Sequence, residues 1–245
     1  LEAALDYARR GWPVFPCNTA NKRPLVARDL DDDNKPIKGS GGVSKATTDE
    51  EQIRAWWRKW PKAMIGVAHG HGGTIVIDFD PRVVVTPVEH VDEETGEVTT
   101  VEQREEWTLE RLKADLEAQM GCALPVGLAA RTPSGGVHVY FRMPDGEPIG
   151  NRGNLPDHID VRGAGGYTIV PPSFCDGDGK SATGPYRWLR GDEAAPIIEM
   201  PAELVAILRE KGSPKREGTV AARPVSAAPV FKVDLDESHR RYALR

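Results

Sequence analysis

The stretch Thr74-Ile75-Val76-Ile77-Asp78-Phe79-Asp80 reads as a β-strand that ends in two carboxylates. Its run of apolar, β-branched residues fits a pleated, buried surface. Side chains on a strand alternate between faces, so Asp78 and Asp80 share one face while Ile77 and Phe79 share the other. Two carboxylates converging at a strand end form a hard oxygen site, of the kind that holds Mg²⁺ or Mn²⁺ beside a phosphate-bearing substrate. The plainer alternative is a pair of surface aspartates closing a strand, and the rest of the chain has to separate the two.

Two further segments obey the same alternation. In His138-Val139-Tyr140-Phe141-Arg142, the polar-tipped residues His138, Tyr140 and Arg142 share a face and Val139 with Phe141 share the opposite one. In Ile159-Asp160-Val161-Arg162, Asp160 and Arg162 lie together, opposite two apolar residues. Each segment adjoins a glycine-rich turn, and each offers polar groups to one side of a sheet and apolar groups to a core. Three carboxylates, one imidazole and two guanidiniums on a common face make a site for a metal-bound triphosphate. Taken one at a time, His138 reads as a structural hydrogen bonder, Arg142 and Arg162 as solvated edge residues, and Asp160 as the cap of a turn.

Around these segments the chain reads as alternating helices and strands. Residues 1–10 predict a helix with Leu1, Ala4, Leu5 and Ala8 on one face, stopped by Gly11. Trp12 to Pro16 predicts a short strand bounded by prolines, and residues 18–46 a loop. Thr48 is the expected N-cap of a helix carrying Ile53, Trp56, Trp57 and Trp60, with Glu51 completing a capping box. Those tryptophans are read as core, because they ride on an amphipathic helix. Ile65–Ala68 and Thr74–Asp80 are expected as two strands around the turn 69–73, and 83–101 as a hairpin with the acidic tip Asp92 to Glu97. A helix is expected over 102–120, with Trp107, Leu109, Leu112 and Leu116 as its apolar stripe. Strands follow at 126–131 and 137–142, a strand pair at 159–162 and 167–170, and a short helix at 201–211.

Residues 1–211 are therefore read as one catalytic domain. Residues 212–233, rich in Pro, Ala, Ser, Lys and Arg without periodicity, are read as a linker, and 234–245 as the start of a further helical domain. The chain lacks an initiator Met, so a processed or excised piece of something longer is expected.

At 39% apolar and 28% charged residues, the 245-residue chain has the composition of a soluble globular protein. It holds no apolar run long enough to span a bilayer and no signal peptide, so no membrane role is expected. Cys17, Cys122 and Cys175 lie far apart and form no Cys-x-x-Cys, which points away from a zinc ribbon or a disulfide scaffold and toward a reduced, cytoplasmic setting. A net charge of −5 argues against a nucleic-acid ligand until its distribution is examined: eleven Asp and Glu crowd between Glu89 and Glu117 against three Lys and Arg, leaving the remainder weakly basic. Such a body can grip a polyanion, above all through metal ions.

With these segments in order, the chain resembles the N-terminal domain of bifunctional DNA primase/polymerases (Prim-Pol), a branch of the archaeo-eukaryotic primase superfamily. The resemblance covers about residues 1–205. It rests on Tyr7-Ala8-Arg9-Arg10-Gly11-Trp12-Pro13-Val14-Phe15-Pro16, Lys22-Arg23-Pro24, Ala46-Thr47-Thr48-Asp49, Ile53-Arg54-Ala55-Trp56-Trp57 and Ile65-Gly66-Val67-Ala68. It continues through Asp78-Phe79-Asp80, Thr132-Pro133-Ser134-Gly135-Gly136-Val137-His138, Asp160-Val161-Arg162 and Gly166-Tyr167-Thr168-Ile169-Val170-Pro171-Pro172-Ser173. Each fragment is weak alone; their order and spacing are specific.

The resemblance implies an α+β archaeo-eukaryotic primase fold, with mixed β-sheets and an RRM-like catalytic module flanked by helices. It implies that Asp78, Asp80 and Asp160 bind two divalent ions, Mg²⁺ or Mn²⁺, and that His138 contacts the phosphates of the incoming nucleotide. Arg162, Arg142, Ser134 and Lys22 join it as nucleotide-binding candidates, with Arg131 a weaker one. Ser134 departs from the superfamily's Ser-x-His pattern, since it stands four residues before His138 with Gly136 in the expected place. The acidic hairpin looks like an insertion. Implied partners are a single-stranded DNA template, met by the basic loop between Lys22 and Lys45, nucleoside triphosphates, and a C-terminal helicase in the full-length protein of a phage, plasmid or mobile element. The implied activity is template-dependent primer synthesis and extension. A catalytically silent DNA-binding module serving a helicase is the alternative, and metal-dependent glycosyltransferases and nucleases share only the Asp-x-Asp.

Overall fold

The structure, a computed structural model, describes residues 1–70, 73–91, 98–151, 153–189 and 195–210. The expected linker at 212–233, the expected helix at 234–245 and the acidic tip Asp92 to Glu97 lie outside the described residues.

The chain opens with helix α1 (Glu2–Arg9), strand β1 (Val14–Cys17), a 3₁₀ turn (Gly42–Lys45), α2 (Glu50–Lys59) and β2 (Met64–Ala68). The central strand β3 (Thr74–Phe79) follows, then β4 (Arg82–Val91), β5 (Val98–Trp107) and α3 (Leu109–Met120). Next come β6 (Ala129–Arg131), β7 (Val137–Arg142), β8 (Ile159–Arg162) and β9 (Tyr167–Ile169). Short strands β10 (Phe174–Cys175), β11 (Gly184–Pro185), β12 (Arg187–Trp188) and β13 (Ile198–Glu199) lead to α4 (Ala202–Arg209).

The fold is α+β. A six-stranded sheet runs in the order β12-β6-β7-β3-β8, with β13 added in parallel to the far end of β7. A second sheet, β1-β2-β9, is antiparallel throughout. The alternation expected of β3, β7 and β8 is observed. Ile75, Ile77, Phe79, Val139, Phe141, Ile159 and Val161 all pack on one face beneath α3 and α4, against Leu112, Leu116, Leu204 and Leu208. Each fully buried aliphatic side chain there contributes roughly 1.5–3 kcal/mol. The opposite face is divided. Val76, Tyr140 and Ala130 pack toward α1, α2, β1 and β2, with Tyr7, Trp12 and Trp57 in the same cluster. Beyond Val76 the same face turns polar at Asp78, so the site forms where the second sheet stops covering the first.

Several expectations are corrected. Asp49, not Thr48, caps α2: its Oδ1 accepts from the backbone N–H groups of Glu51 and Gln52 at 2.9 and 3.4 Å. Trp57 is core as expected, whereas Trp56 and Trp60 are half-buried. The expected helix at 102–120 begins only at Leu109, behind Thr108, whose hydroxyl accepts from the N–H of Arg111. Residues 102–107 belong to β5 because ten cross-strand pairs with β4 outweigh the helix propensity of their glutamates.

The two expected strand pairs, 65–68 with 74–80 and 159–162 with 167–170, are both divided between the sheets. β2 pairs with β1 and β9, and β3 with β7 and β8. The glycine turns are therefore crossovers between layers, and they press on each other: a Cβ on Gly70 would stand 2.6 Å from the Cα of Ala164.

Candidate active site

Strand register sets the site. Asp78 on β3 lies opposite His138 on β7 and opposite Asp160 on β8, so three candidate side chains stand in a row across the sheet on one face. Arg162, two residues farther along β8, places its guanidinium between the acids, with Nη2 2.9 Å from Asp160 Oδ2 and 3.4 Å from Asp78 Oδ2. Asp80 follows β3 directly. Its N–H donates to the carbonyl of His158 at 3.0 Å, and its carboxylate pairs with Arg82. A cleft of about 370 Å³ opens above this row. Asp78, Asp80, His138 and Arg162 line it together with Lys22, Thr132, Ser134, Asn151, Gly165, Gly166, Tyr167, Thr168 and Tyr186.

The turn that precedes His138 is built to lie against the end of β3. Thr132 N–H donates to Gly136 O and Gly135 N–H to Thr132 O. A Cβ on Gly136 would stand 2.6 Å from the carbonyl oxygen of Phe79, so only glycine lets the turn close on β3. Ser134 shares a hydrogen bond of 3.0 Å with the Thr132 hydroxyl at the cleft wall. Lys22 enters from the opposite side, where the Tyr167 hydroxyl donates to its carbonyl at 3.1 Å.

His138 is neutral in this setting. Burial pushes its pKa below the ordinary histidine value, and Asp78 opposes that push without overcoming it. Its contact of 3.4 Å from Nε2 to Asp78 Oδ1 is accordingly a weak contact of a neutral ring rather than an ion pair. The buried Nδ1 has no hydrogen-bond partner, and the ring lies beside Tyr186 at a centroid distance of 6.1 Å.

The donor chemistry suits a hard divalent cation: Asp78 and Asp80 present carboxylate oxygens to one cleft, and Asp160 is their neighbour in register. As placed, each acid rests on a guanidinium, and Asp160 is 60% exposed and tied to Arg162. Among the described residues, no group of three or more His, Cys, Asp or Glu is gathered to hold a metal ion.

Two nucleotide-binding candidates are not brought to the cleft. Arg142 sits opposite Thr74 at the far end of β7 and pairs with Glu199 at 2.5 Å. Alternation gave its face correctly but not its distance, since four residues of strand separate it from His138, about 13 Å. Arg131 lines a separate, largely apolar groove with Phe79, Lys113 and Val137. Sequence reasoning gave no site role to Asn151, Thr132, Tyr167, Thr168 and Tyr186. Asn151 accepts from the N–H of Gly163 at 3.1 Å and so braces the turn that forms one wall, a role without a local sequence signal.

A model of the N-terminal domain of bifunctional DNA primase/polymerases matches residues 4–203. The chain belongs to that family. Membership carries a function of the DNA primase/polymerase type, acting on DNA and nucleotides, and the α+β fold with its antiparallel sheets agrees with it. No curated protein matches the chain. Among the described residues of this Prim-Pol domain, no helix is long and apolar enough to cross a membrane.

Proposed function

We propose that this Prim-Pol domain is a template-dependent nucleotidyltransferase that makes and extends primers, with Mg²⁺ or Mn²⁺ held by Asp78 and Asp80 and completed by Asp160. The observation that carries this reading is the alignment of His138, Asp78 and Asp160 at one register beneath a cleft lined by Lys22 and Arg162. Two divalent ions bound there would lower the pKa of the attacking 3′-hydroxyl and offset the charge of the leaving pyrophosphate.

The chain's own groups do the rest. Arg162 and Lys22 are cations on the cleft wall and meet the triphosphate. Arg162 serves twice: it neutralises Asp78 and Asp160 in the free site and turns to phosphate when a nucleotide enters. A neutral His138 has one N–H to offer a phosphate oxygen and brings no extra charge beside the acids. The Ser134 and Thr132 hydroxyls add donors on the same wall. The template is met by the basic loop from Lys22 to Lys45. The setting that suits such a domain is the cytoplasmic replication machinery of a phage, plasmid or mobile element, with a helicase joined C-terminally.

The test compares the wild-type chain with Asp78→Ala/Asp80→Ala on single-stranded template, with nucleotides and Mn²⁺ or Mg²⁺, with and without a primer. Metal-dependent product should fall on the order of 100-fold or more in the variant. Template binding without any product from the wild type identifies the silent DNA-binding module instead, and undiminished synthesis by the variant removes these acids from the site.

A further inference from the structure

His69 belongs to neither the row of Asp78, His138 and Asp160 nor any expected site, yet it is a buried polar side chain with both ring nitrogens bonded. It follows β2, is 1% exposed, and bonds through both ring nitrogens. Nδ1 lies 2.9 Å from the Thr74 hydroxyl, at the start of β3, and Nε2 lies 3.0 Å from the Thr168 hydroxyl, in β9. Its backbone N–H donates to Gly166 O at 3.0 Å, and the next residue's N–H, that of Gly70, donates to Thr74 O at 2.9 Å. Thr168 also reaches the Tyr140 hydroxyl of β7 at 3.4 Å. β9 and β3 belong to different sheets and share no ladder. At this point the His69 ring bridges a hydroxyl of β3 and a hydroxyl of β9, beside the main-chain bonds of His69 and Gly70.

The ring is neutral, since burial above all, with the nearby Arg162 charge adding to it, holds its pKa down to about 3. A neutral imidazole has one N–H and one lone pair, so one threonine accepts from it and the other donates to it. Replacing either hydroxyl leaves a buried ring nitrogen unpaired, which costs about 1–3 kcal/mol.

We propose that His69 is a positioning residue for the nucleotide cleft: by tying the Thr168 hydroxyl to the Thr74 hydroxyl, it holds the wall Gly165–Thr168 at a fixed separation from Asp78. The inference rests on the nucleotidyltransferase reading above for its ligand, a nucleoside triphosphate. Gly165, Gly166, Tyr167 and Thr168 all line the cleft, while Thr74 begins the strand that carries Asp78. Tyr167 in turn holds the main chain of Lys22, so a shift of this wall moves a cation as well. Misplacing a bound reactant by about 1 Å can cost as much as 100-fold in rate.

The experiment removes hydroxyls while keeping shape. Thr168→Val and Thr74→Val delete one partner each, Thr168→Ser restores the hydroxyl, and the double valine variant tests coupling. The readouts are the Kd for metal-bound nucleotide by titration, template affinity by anisotropy, KM and kcat for extension, and thermal midpoint. Each valine variant should weaken nucleotide binding about five- to tenfold, the equivalent of one lost buried hydrogen bond. Template affinity should hold, Thr168→Ser should recover most of the loss, and the double variant should be no worse than either single. Nucleotide Kd unchanged within twofold in Thr168→Val, with only the thermal midpoint lowered, overturns the proposal and leaves His69 a core residue. Additive losses in the double variant also overturn it. A wild type that binds nucleotide but makes no product rejects the polymerase reading alone, and one that binds none rejects both.

Discussion

Thr74-Ile75-Val76-Ile77-Asp78-Phe79 and Arg82-Val83-Val84-Val85 are separated by two residues, and both are rich in β-branched side chains. In β3 every residue except Asp78 is buried, with strands on both sides and a packed layer on each face. β4 has one neighbour, β5, and the two form a ribbon of ten pairs whose side chains are almost all exposed. Val83, Val85, Val88, Val98 and Val101 are 41–58% exposed. The difference does not lie in composition. Opposite Val83, Val84 and Val85 stand Glu106, Glu105 and Arg104, and where valine does face valine, as at Val88 and Val101, the pair is isolated between polar pairs, so the ribbon collects no continuous apolar layer. A valine run states that a strand will form; the residues across from it state whether that strand becomes core.

The sharpest way to break this contrast is to truncate one side chain in each strand. Ile77→Ala, in a site with no exposure, should cost about 2–5 kcal/mol in urea unfolding. If it costs under 1 kcal/mol, β3 is not the centre of the core. Acid should also reach the body of the domain through His69. Its folded pKa of about 3 lies below the ordinary histidine value, so the unfolded chain takes up the proton first. The stability tied to the neutral ring is complete above about pH 6.5 and falls as pH drops toward 3, by up to ~1.4 kcal/mol per unit. His69→Gln should flatten that part of the stability–pH curve, and an unchanged slope would rule out His69 as its source. The smallest effect is expected in the ribbon, where Val85→Ala should stay within about 0.5 kcal/mol of wild type. A loss as large as that of Ile77→Ala would mean that the ribbon is covered in solution.

How much of this was legible in the sequence varies with the range of the interaction. The alternation of β3, β7 and β8 was readable because period-2 patterns are local, and it correctly placed Asp78, His138, Asp160 and Arg162 on one face. The allocation of 65–68 and 167–169 to a second sheet was not readable, since a glycine turn looks the same whether it folds a hairpin or crosses between layers. The start of α3 is not readable locally, because Glu102, Glu105 and Glu106 favour a helix and only the partner strand shows why they are extended. Arg142 and Arg162 are equivalent by alternation, yet register puts Arg142 opposite Thr74 and Arg162 opposite Val76, from where its guanidinium reaches Asp78. His69 fell within a turn with no pattern, and its role depends on two hydroxyls of which one is 99 residues away.

The ribbon has a mechanical consequence. Ten residues of strand at roughly 3.4 Å each make an arm of about 30 Å. One root of that arm is Pro81-Arg82, where the ring of Pro81 fixes a backbone torsion and Arg82 grips Asp80 itself. The other root is Trp107, wedged between the Arg111 guanidinium and the ring of His158. The arm is thus anchored beside Asp80, so what it carries leaves the body of the domain at the edge of the cleft.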